Sequence, residues 1–207
     1  MGFYSRTVFP WIIDRVMSQP RLTEQRPLAL AEVTEPVLEI GFGTGLNLPH
    51  YPPAVRQLSV LDPNEGMSRR ARRRIEESGI QVQNVNLIGG RVLPFEDGSL
   101  ASVVTTWTLC SIPDVHFAIA EIHRVLKPGG RFHFVEHGLA PDEGVAKWQH
   151  RLNWLQRKVG DGCHLNRDIP SIIQSAPFEL EKCEKFYMEK TPRPLGYTFR
   201  GVAVRSS

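Results

Sequence analysis

Short runs of β-branched and apolar residues alternate with stretches of helical periodicity almost from end to end of the chain. Val37 to Ile40, Leu58 to Leu61, Val82 to Ile88, Ala101 to Thr106 and Arg131 to Glu136 read as strands. The first, second and fourth are the near-continuous runs expected of parallel strands covered on both faces. Thr44 to His50, Glu65 to Ser78 and Asp114 to Leu126 read as helices between them. This alternation predicts an α/β sheet with helices on both sides. Two later runs, Glu179 to Met188 and Leu195 to Val204, have only the Pro192–Arg193–Pro194 turn between them. They are expected to form an antiparallel hairpin at one sheet edge.

Two segments lie outside the alternation. Residues 1–30 carry a short helix with Phe9, Ile12, Ile13, Val16 and Met17 mostly on one face. It is expected to be a lid, with Phe3, Tyr4 and Trp11 as the large aromatics placed to cover a bound molecule. Residues 138–175 carry a longer helix, about Asp142 to Val159. Its Val145, Trp148, Leu152, Leu155 and Val159 recur at helical spacing, a stripe expected to pack on the core. His150 and Trp154 lie off that stripe, as an exposed pair or as part of a pocket wall. With no repeat and no boundary, residues 1–207 read as one domain.

Composition narrows the class. Apolar residues make up 41% of the 207 and charged residues 23%, which fits a soluble globular chain and excludes a disordered one. The longest apolar stretch, Val8 to Ile13, is interrupted by Pro10 and falls far short of the roughly 20 residues that span a bilayer. No secretory pattern follows Met1. Cys110, Cys163 and Cys183 are too few and too scattered to predict a disulfide framework or a zinc site, so the chain reads as reduced, cytoplasmic and metal-free. Arg69, Arg70, Arg72, Arg73 and Arg74 could meet an anionic surface, or form a solvated helix face with Glu76 and Glu77. No aromatic residue is interleaved with them to stack on bases, so a nucleic-acid partner is not expected.

The sharpest local signal is Val37-Leu38-Glu39-Ile40-Gly41-Phe42-Gly43-Thr44-Gly45-Leu46-Asn47. A strand ends in a loop with glycine at every second position, which permits positive φ and close approach of a ligand to the backbone. In the dinucleotide pattern G-x-G-x-x-G the last glycine would fall on Leu46, which disfavours a nicotinamide enzyme. Glu39, two residues before the first glycine, suits a ligand bearing an ammonium and a sulfonium better than a pyrophosphate. Asp62, at the end of the next strand, can accept two hydrogen bonds from a ribose diol. It could also serve, as could Asn64, as a helix N-cap. Lys127-Pro128-Gly129-Gly130 reads as a turn, at the end of the sheet where ligands do not bind.

VLEIGFGTG, LDPNEGM, LPFEDGSLASVV and HRVLKPGGRFHFVEHG, in that order, resemble the class I S-adenosylmethionine-dependent methyltransferases of the quinone-biosynthesis type. The resemblance covers about residues 35–137. It implies a seven-stranded sheet ordered 3-2-1-4-5-7-6 with the last strand antiparallel. It also implies that Glu39, Gly41, Gly43 and Gly45 contact the methionine part of the cofactor and Asp62 its ribose. Asn47 and Pro63, within the same two stretches, are counted with that site. Gly89 and Gly90 would meet the adenine, and Thr106 and Trp107 the cofactor's other side. One departure stands out: Gly89-Gly90-Arg91-Val92 replaces the acidic run that the family usually carries before Leu-Pro-Phe, so backbone groups would have to hold the adenine amine.

A narrower resemblance reaches almost the whole chain. GLNLPHYPP, the Glu136-His137 pair, the loop Gly160-Asp161-Gly162-Cys163-His164-Leu165-Asn166-Arg167 and the closing GYTFRGVA are similar to bacterial relatives of the alkyl-thiol methyltransferases. Membrane-anchored members of that group begin with a hydrophobic helix, which this sequence does not show. The resemblance implies a small, rather apolar thiol or sulfide as methyl acceptor. Bacterial phospholipid N-methyltransferases share GTGLNLPHY, so a lipid-like amine is the alternative, with weak peripheral membrane contact through the N-terminal helix and the arginine cluster. A thiol acceptor calls for a nearby cation or base to favour thiolate. His137, Asp161, His164 and Arg167 are the candidates: an Asp–His pair to take the proton, and Arg167 to stabilise the thiolate. Cys163 reads as structural, because direct methyl transfer needs no enzyme nucleophile.

Overall fold

Proline placement divides the N-terminal segment into three short helices, because a missing N–H is tolerated in a first helical turn. In a computed structural model describing residues 8–62 and 65–206, those of 65–69 by backbone alone, they are α1 (Phe9–Met17), α2 (Pro20–Thr23) and α3 (Gln25–Leu30). Then follow β1 (Val37–Ile40), β2 (Gln57–Leu61), α4 (Glu65–Ser78), β3 (Gln81–Asn84), β4 (Leu100–Thr106) and α5 (Val115–Val125). The chain closes with β5 (Leu126–His137), α6 (Glu143–Val159), α7 (Ile169–Ile173), β6 (Phe178–Tyr187), α8 (Arg193–Gly196) and β7 (Tyr197–Arg205). No helix among the described residues is long and apolar enough to cross a membrane.

The seven strands form one sheet in the order β3-β2-β1-β4-β5-β7-β6. Neighbours from β3 to β5 pair in parallel, and β7 runs antiparallel to both β5 and β6. Both the order and the edge hairpin are those expected. Alternate side chains feed two cores. Leu38, Val103, Phe132 and Phe134 pack with Ile119 and Ile122 of α5 and Ile169 and Ile173 of α7. Val37, Leu58, Val60 and Val104 pack with Leu30 of α3 and Ala71 of α4.

Four local expectations are corrected. Thr44 to His50 is no α-helix: only a 3-10 turn forms at Leu48–His50, since Pro49, Pro52 and Pro53 remove backbone donors. The third strand stops at Asn84, and Ile88 instead pairs with Val92 in an isolated bridge around Gly89 and Gly90. Lys127–Gly130 belongs to β5, where the pairing with β4 shifts register between Leu100 and Ser102. The fourth correction concerns α6. Trp148, Leu155 and Val159 are exposed, and Gln149 is the buried residue of the helix. The inward stripe carries amides because α6 packs on loops whose backbone groups lack partners. Gln149 donates to the carbonyls of Gly138 and Pro194 and accepts from the N–H of Ala140, and Asn153 accepts from the N–H of Leu165.

Gln149→Leu keeps the volume but leaves an N–H and two carbonyls unpaired. It should cost about 1–3 kcal/mol in urea unfolding, whereas Trp148→Gln on the opposite face should change stability little.

Candidate functional site

The glycine loop is shaped by what each glycine faces. Gly41 has φ +78, and a Cβ there would lie 2.0 Å from Thr108 Oγ1, so the loop presses against the turn after β4. Gly43 has φ +58, and a Cβ would meet only the Gly41 carbonyl, at 3.8 Å. Its N–H donates to Asp62 Oδ2 at 2.7 Å, which ties the loop tip to the end of β2. Gly45 faces Leu48, Phe42 and Ala71, a packing position away from the cavity wall.

Behind the loop lies a buried polar network. Glu39 accepts from Asn47 Nδ2 at 2.9 Å and from the Tyr51 hydroxyl at 2.6 Å. Asn47 also donates to Thr106 Oγ1, and its Oδ1 accepts from Arg26 Nη1 at 2.6 Å. Arg26 in turn lies over the Trp107 ring, 5.1 Å from its centroid. Burial raises Glu39 from its ordinary 4.5 to about 7 against the pull of these hydrogen bonds, and lowers Arg26 to about 10. Glu39 and Thr106 reach the cavity wall, while Asn47 stands behind it.

α1 closes over this loop. Asp14 accepts from Arg74 Nη1 at 2.8 Å and from Thr44 Oγ1 at 2.5 Å, and Arg74 also donates to the Thr44 carbonyl. Despite burial, these donors hold the Asp14 carboxyl below its usual range. Arg74 is therefore a tether, while Arg73 and Glu77 pair on the solvated face. Phe9, Ile13, Val16 and Met17 line the cavity, and Trp11 faces solvent at 58% exposure. Phe3, Tyr4, Pro63 and Asn64 lie outside the described residues.

The cavity, about 1000 Å³, runs along the carboxyl ends of the strands. At one end Leu61, Asp62, Leu87, Gly90 and Phe117 line it. Arg91 stacks on Phe117 and pairs with Asp114 at 2.8 Å. Gly89 is not on the wall.

At the other end two loops meet. The turn after β4 begins at Trp107, whose φ is +52. Glu136 Oε1 accepts the N–H groups of Thr108 and Leu109 at 3.0 and 3.1 Å, and burial raises this carboxyl. From the far side Arg167 donates to the carbonyls of Leu109 and Ile112. The His164 N–H donates to the Cys110 carbonyl at 2.9 Å, which docks the loop after α6. That loop turns at Asp161 (φ +49) and Gly162 (φ +93). Cys163 Sγ then lies 3.1 Å from His137 Nε2 and 3.4 Å from Gln156 Nε2. The Cys110 thiol, which hydrogen-bonds to Cys163, and burial both push the Cys163 thiol pKa up.

The four residues proposed for chemistry thus divide. His137 and Asp161 are on the cavity wall; His164 and Arg167 hold loops behind it, and His164 Nδ1 lies 3.4 Å from Asn153 Nδ2. His150 and Trp154 stay outside the wall too. Cys110, Cys163 and Gln156 are wall residues, as are the apolar Leu165, Met188 and Leu195. Spacing along the chain carries no sign that two distant cysteines and a histidine converge. Arg26 and Asp14 were equally hidden, each being one polar residue in a short helix.

A profile of the methyltransferase domain family matches residues 38–134. The chain is similar to thiol S-methyltransferase TMT1B of Rattus norvegicus, 35% identical over 177 residues, covering 84% of this chain and 71% of that protein. It is similar to a phosphatidylethanolamine N-methyltransferase of Cereibacter sphaeroides, 32% identical over 127 residues, covering 57% of this chain and 62% of that one. The chain thus spans about two thirds of the length of these relatives. Among solved structures, a SAM-dependent methyltransferase from Thermotoga maritima superposes with a TM-score of 0.68 at 18% identity, covering 98% of each chain.

The raised carboxyl of Glu39 has a consequence for stability. In the unfolded chain it ionises near 4.5, while in the folded chain it keeps its proton until about 7. Stability is therefore lost as pH rises across that window, by on the order of 3 kcal/mol. Glu39→Gln should remove this slope, so that urea unfolding without ligand shows the variant gaining on the parent between pH 4.5 and pH 8.

Proposed function

The chain belongs to the class I S-adenosylmethionine-dependent methyltransferases, and from that premise we propose that it methylates a small, rather apolar thiol or sulfide. The observation that carries the acceptor class is the extent of the similarity. The thiol S-methyltransferase matches over 84% of this chain, against 57% for the phospholipid enzyme. Similarity that extends past the cofactor half takes in segments that build the acceptor end of the cavity.

The residues present fit the cofactor. Glu39 is a buried carboxylate on the cavity wall whose ionised form lacks sufficient compensation, since the hydrogen bonds of Arg26 go to Asn47, Thr106 and Met17. An ammonium group beside it would supply that compensation. Gly43 opens its backbone to the cavity. Asp62, one of whose oxygens binds the loop tip, is placed to take the ribose hydroxyls. Leu87, Gly90 and Phe117 offer the apolar slot for adenine, with no acidic side chain required from positions 89–92.

When bound, S-adenosylmethionine supplies a methyl group already activated on a sulfonium. What remains for the protein is to position the acceptor and exclude water. α1, tethered by Asp14, forms one wall over the site, and Leu165, Met188 and Leu195 provide an apolar one. A thiol, with pKa about 8.5, needs little basic assistance, whereas an alcohol would need a strong base. Of the four candidates for chemistry, His137 and Asp161 face the acceptor end. Arg167 and His164 act as positioning residues through the loops that they hold.

A second reading, a lipid-like amine as acceptor, is favoured by the exposed Trp11 of α1 and by Trp148 and Trp154 of α6. Such aromatics suit a membrane interface.

Turnover across small alkyl thiols, hydrogen sulfide, amines and phosphatidylethanolamine vesicles, read as S-adenosylhomocysteine released, separates the readings. Alkyl thiols should be the best acceptors, and vesicle-dependent amine turnover alone would sink the thiol assignment. Leu195→Asp should raise KM for an apolar thiol about tenfold, with cofactor affinity in calorimetry unchanged.

A further inference from the structure

The acceptor end of the cavity holds a convergence of side chains that methyl transfer by itself does not require. Cys110, from the turn after β4, His137, at the end of β5, and Cys163, from the loop after α6, offer Sγ, Nε2 and Sγ atoms all within 4.8 Å of one another. All three residues line the cavity. We propose that they form a binding site for one thiophilic divalent ion of the zinc class, with its fourth coordination position open to the cavity.

The geometry is near that of such a site. Zinc bonds of about 2.0 Å to nitrogen and 2.3 Å to sulfur in a tetrahedron set ligand atoms about 3.5–3.8 Å apart. The observed 3.1 Å between His137 Nε2 and Cys163 Sγ and the outer bound of 4.8 Å bracket that range. The donor set, two thiols and an imidazole, is that of a thiophilic rather than an oxygen-preferring ion.

The surroundings support the three ligands. The segments that carry them are fixed: Glu136 and Arg167 clamp the turn carrying Cys110, the His164 N–H docks the Cys163 loop on the Cys110 carbonyl, and His137 ends a strand paired with β7 at Thr198. Gln156 Nε2 donates to Cys163 Sγ, the kind of outer hydrogen bond that orients a metal-bound sulfur. Gly160 permits that packing, because a Cβ there would lie 2.7 Å from Gln156 Nε2 and 3.0 Å from Cys163 Cβ. Three protein ligands with a fourth position facing a cavity is the pattern of zinc sites that bind a reactant. Binding the ion releases the two cysteine protons to solvent. In the thiol reading, on which this role rests, an acceptor sulfur entering the fourth position releases its own proton and is held as thiolate.

The test uses the full chain, reduced and stripped with a chelator, titrated anaerobically with Co²⁺ in the absence of cofactor and acceptor. The expected result is one equivalent bound with the intense visible absorption of a tetrahedral thiolate site, displaced by one equivalent of Zn²⁺ and altered by a small alkyl thiol. Cys163→Ser and His137→Gln should each weaken binding at least about 100-fold, while Cys183→Ser leaves it unchanged. Circular dichroism and cofactor calorimetry identify any variant that fails to fold, and Cys110→Ser then takes its place. No stoichiometric binding, a six-coordinate spectrum, or undiminished binding in a folded Cys163→Ser variant would overturn the site. Because the titration needs no turnover, its failure is distinct from failure of the thiol reading, which the acceptor screen decides.

Discussion

Parallel strands that end along one edge of a sheet leave the loops there with backbone donors and acceptors that no ladder can pair. Every such group that is buried must find another partner. In this protein the partners are long polar side chains, and most of the site follows from their placement. Glu136 takes the N–H groups of Thr108 and Leu109, Arg167 the carbonyls of Leu109 and Ile112, and Asp62 the N–H of Gly43. Gln149 and Asn153 serve the loops beyond β5 and α6. A cavity with open walls survives at this edge because its loops are fixed from behind rather than by filling the space between them.

The same arrangement puts acids in low-dielectric surroundings. Burial raises Glu136 and Glu39, with the nearby Asp62 charge adding to it at Glu39, yet their positions differ in consequence. Glu136 spends one oxygen on two backbone donors and sits behind the wall. Glu39 reaches the wall, and its partners Asn47 and Tyr51 are neutral. A buried carboxylate that neutral donors only partly compensate favours whatever cation can reach it. Glu39, two residues before the glycine loop, therefore presents the cavity with an acid that a cationic neighbour would favour in its ionised form.

Much of this was legible in the sequence, but unevenly. The run Ala101 to Thr106 announces itself because both faces are buried, and Leu58 to Leu61 because its residues are buried or half-buried throughout. The glycine loop is legible because Gly41 and Gly43 need positive φ next to a ligand path. The helix over residues 143–159 departs from that pattern: Val145 packs on the core, but Trp148, Leu155 and Val159 are exposed and Gln149 is buried, since the helix covers loops more than a sheet face. Hydrophobic periodicity presumes an apolar partner, and here the partner is unpaired backbone. Arg167 and His164 illustrate a second limit. A loop rich in titratable groups reads as chemistry, but which of them face the cavity depends on backbone hydrogen bonds that spacing does not encode. The convergence of Cys110 with Cys163 depends on such a bond, from His164 N–H to the Cys110 carbonyl.

The tether of α1 joins these themes. Asp14 bonds Arg74 of α4 and the hydroxyl of Thr44, a residue of the glycine loop, and Arg74 bonds the Thr44 carbonyl. The helix over the cavity is thus fastened to the glycine loop and α4 rather than to the sheet. It shares few other polar contacts: Ser18 and Gln19 donate to carbonyls within α1 itself, and Ile12 and Val16 remain partly exposed. Its C-terminal end is also joined to α3, where Arg26 donates to the Met17 carbonyl. Asp14 links the glycine loop to the helix whose Ile13 and Met17 line the cavity wall. The glycine loop and the wall that α1 supplies are thus joined by side-chain bonds, an arrangement suited to a reaction whose activated methyl group must be kept from water.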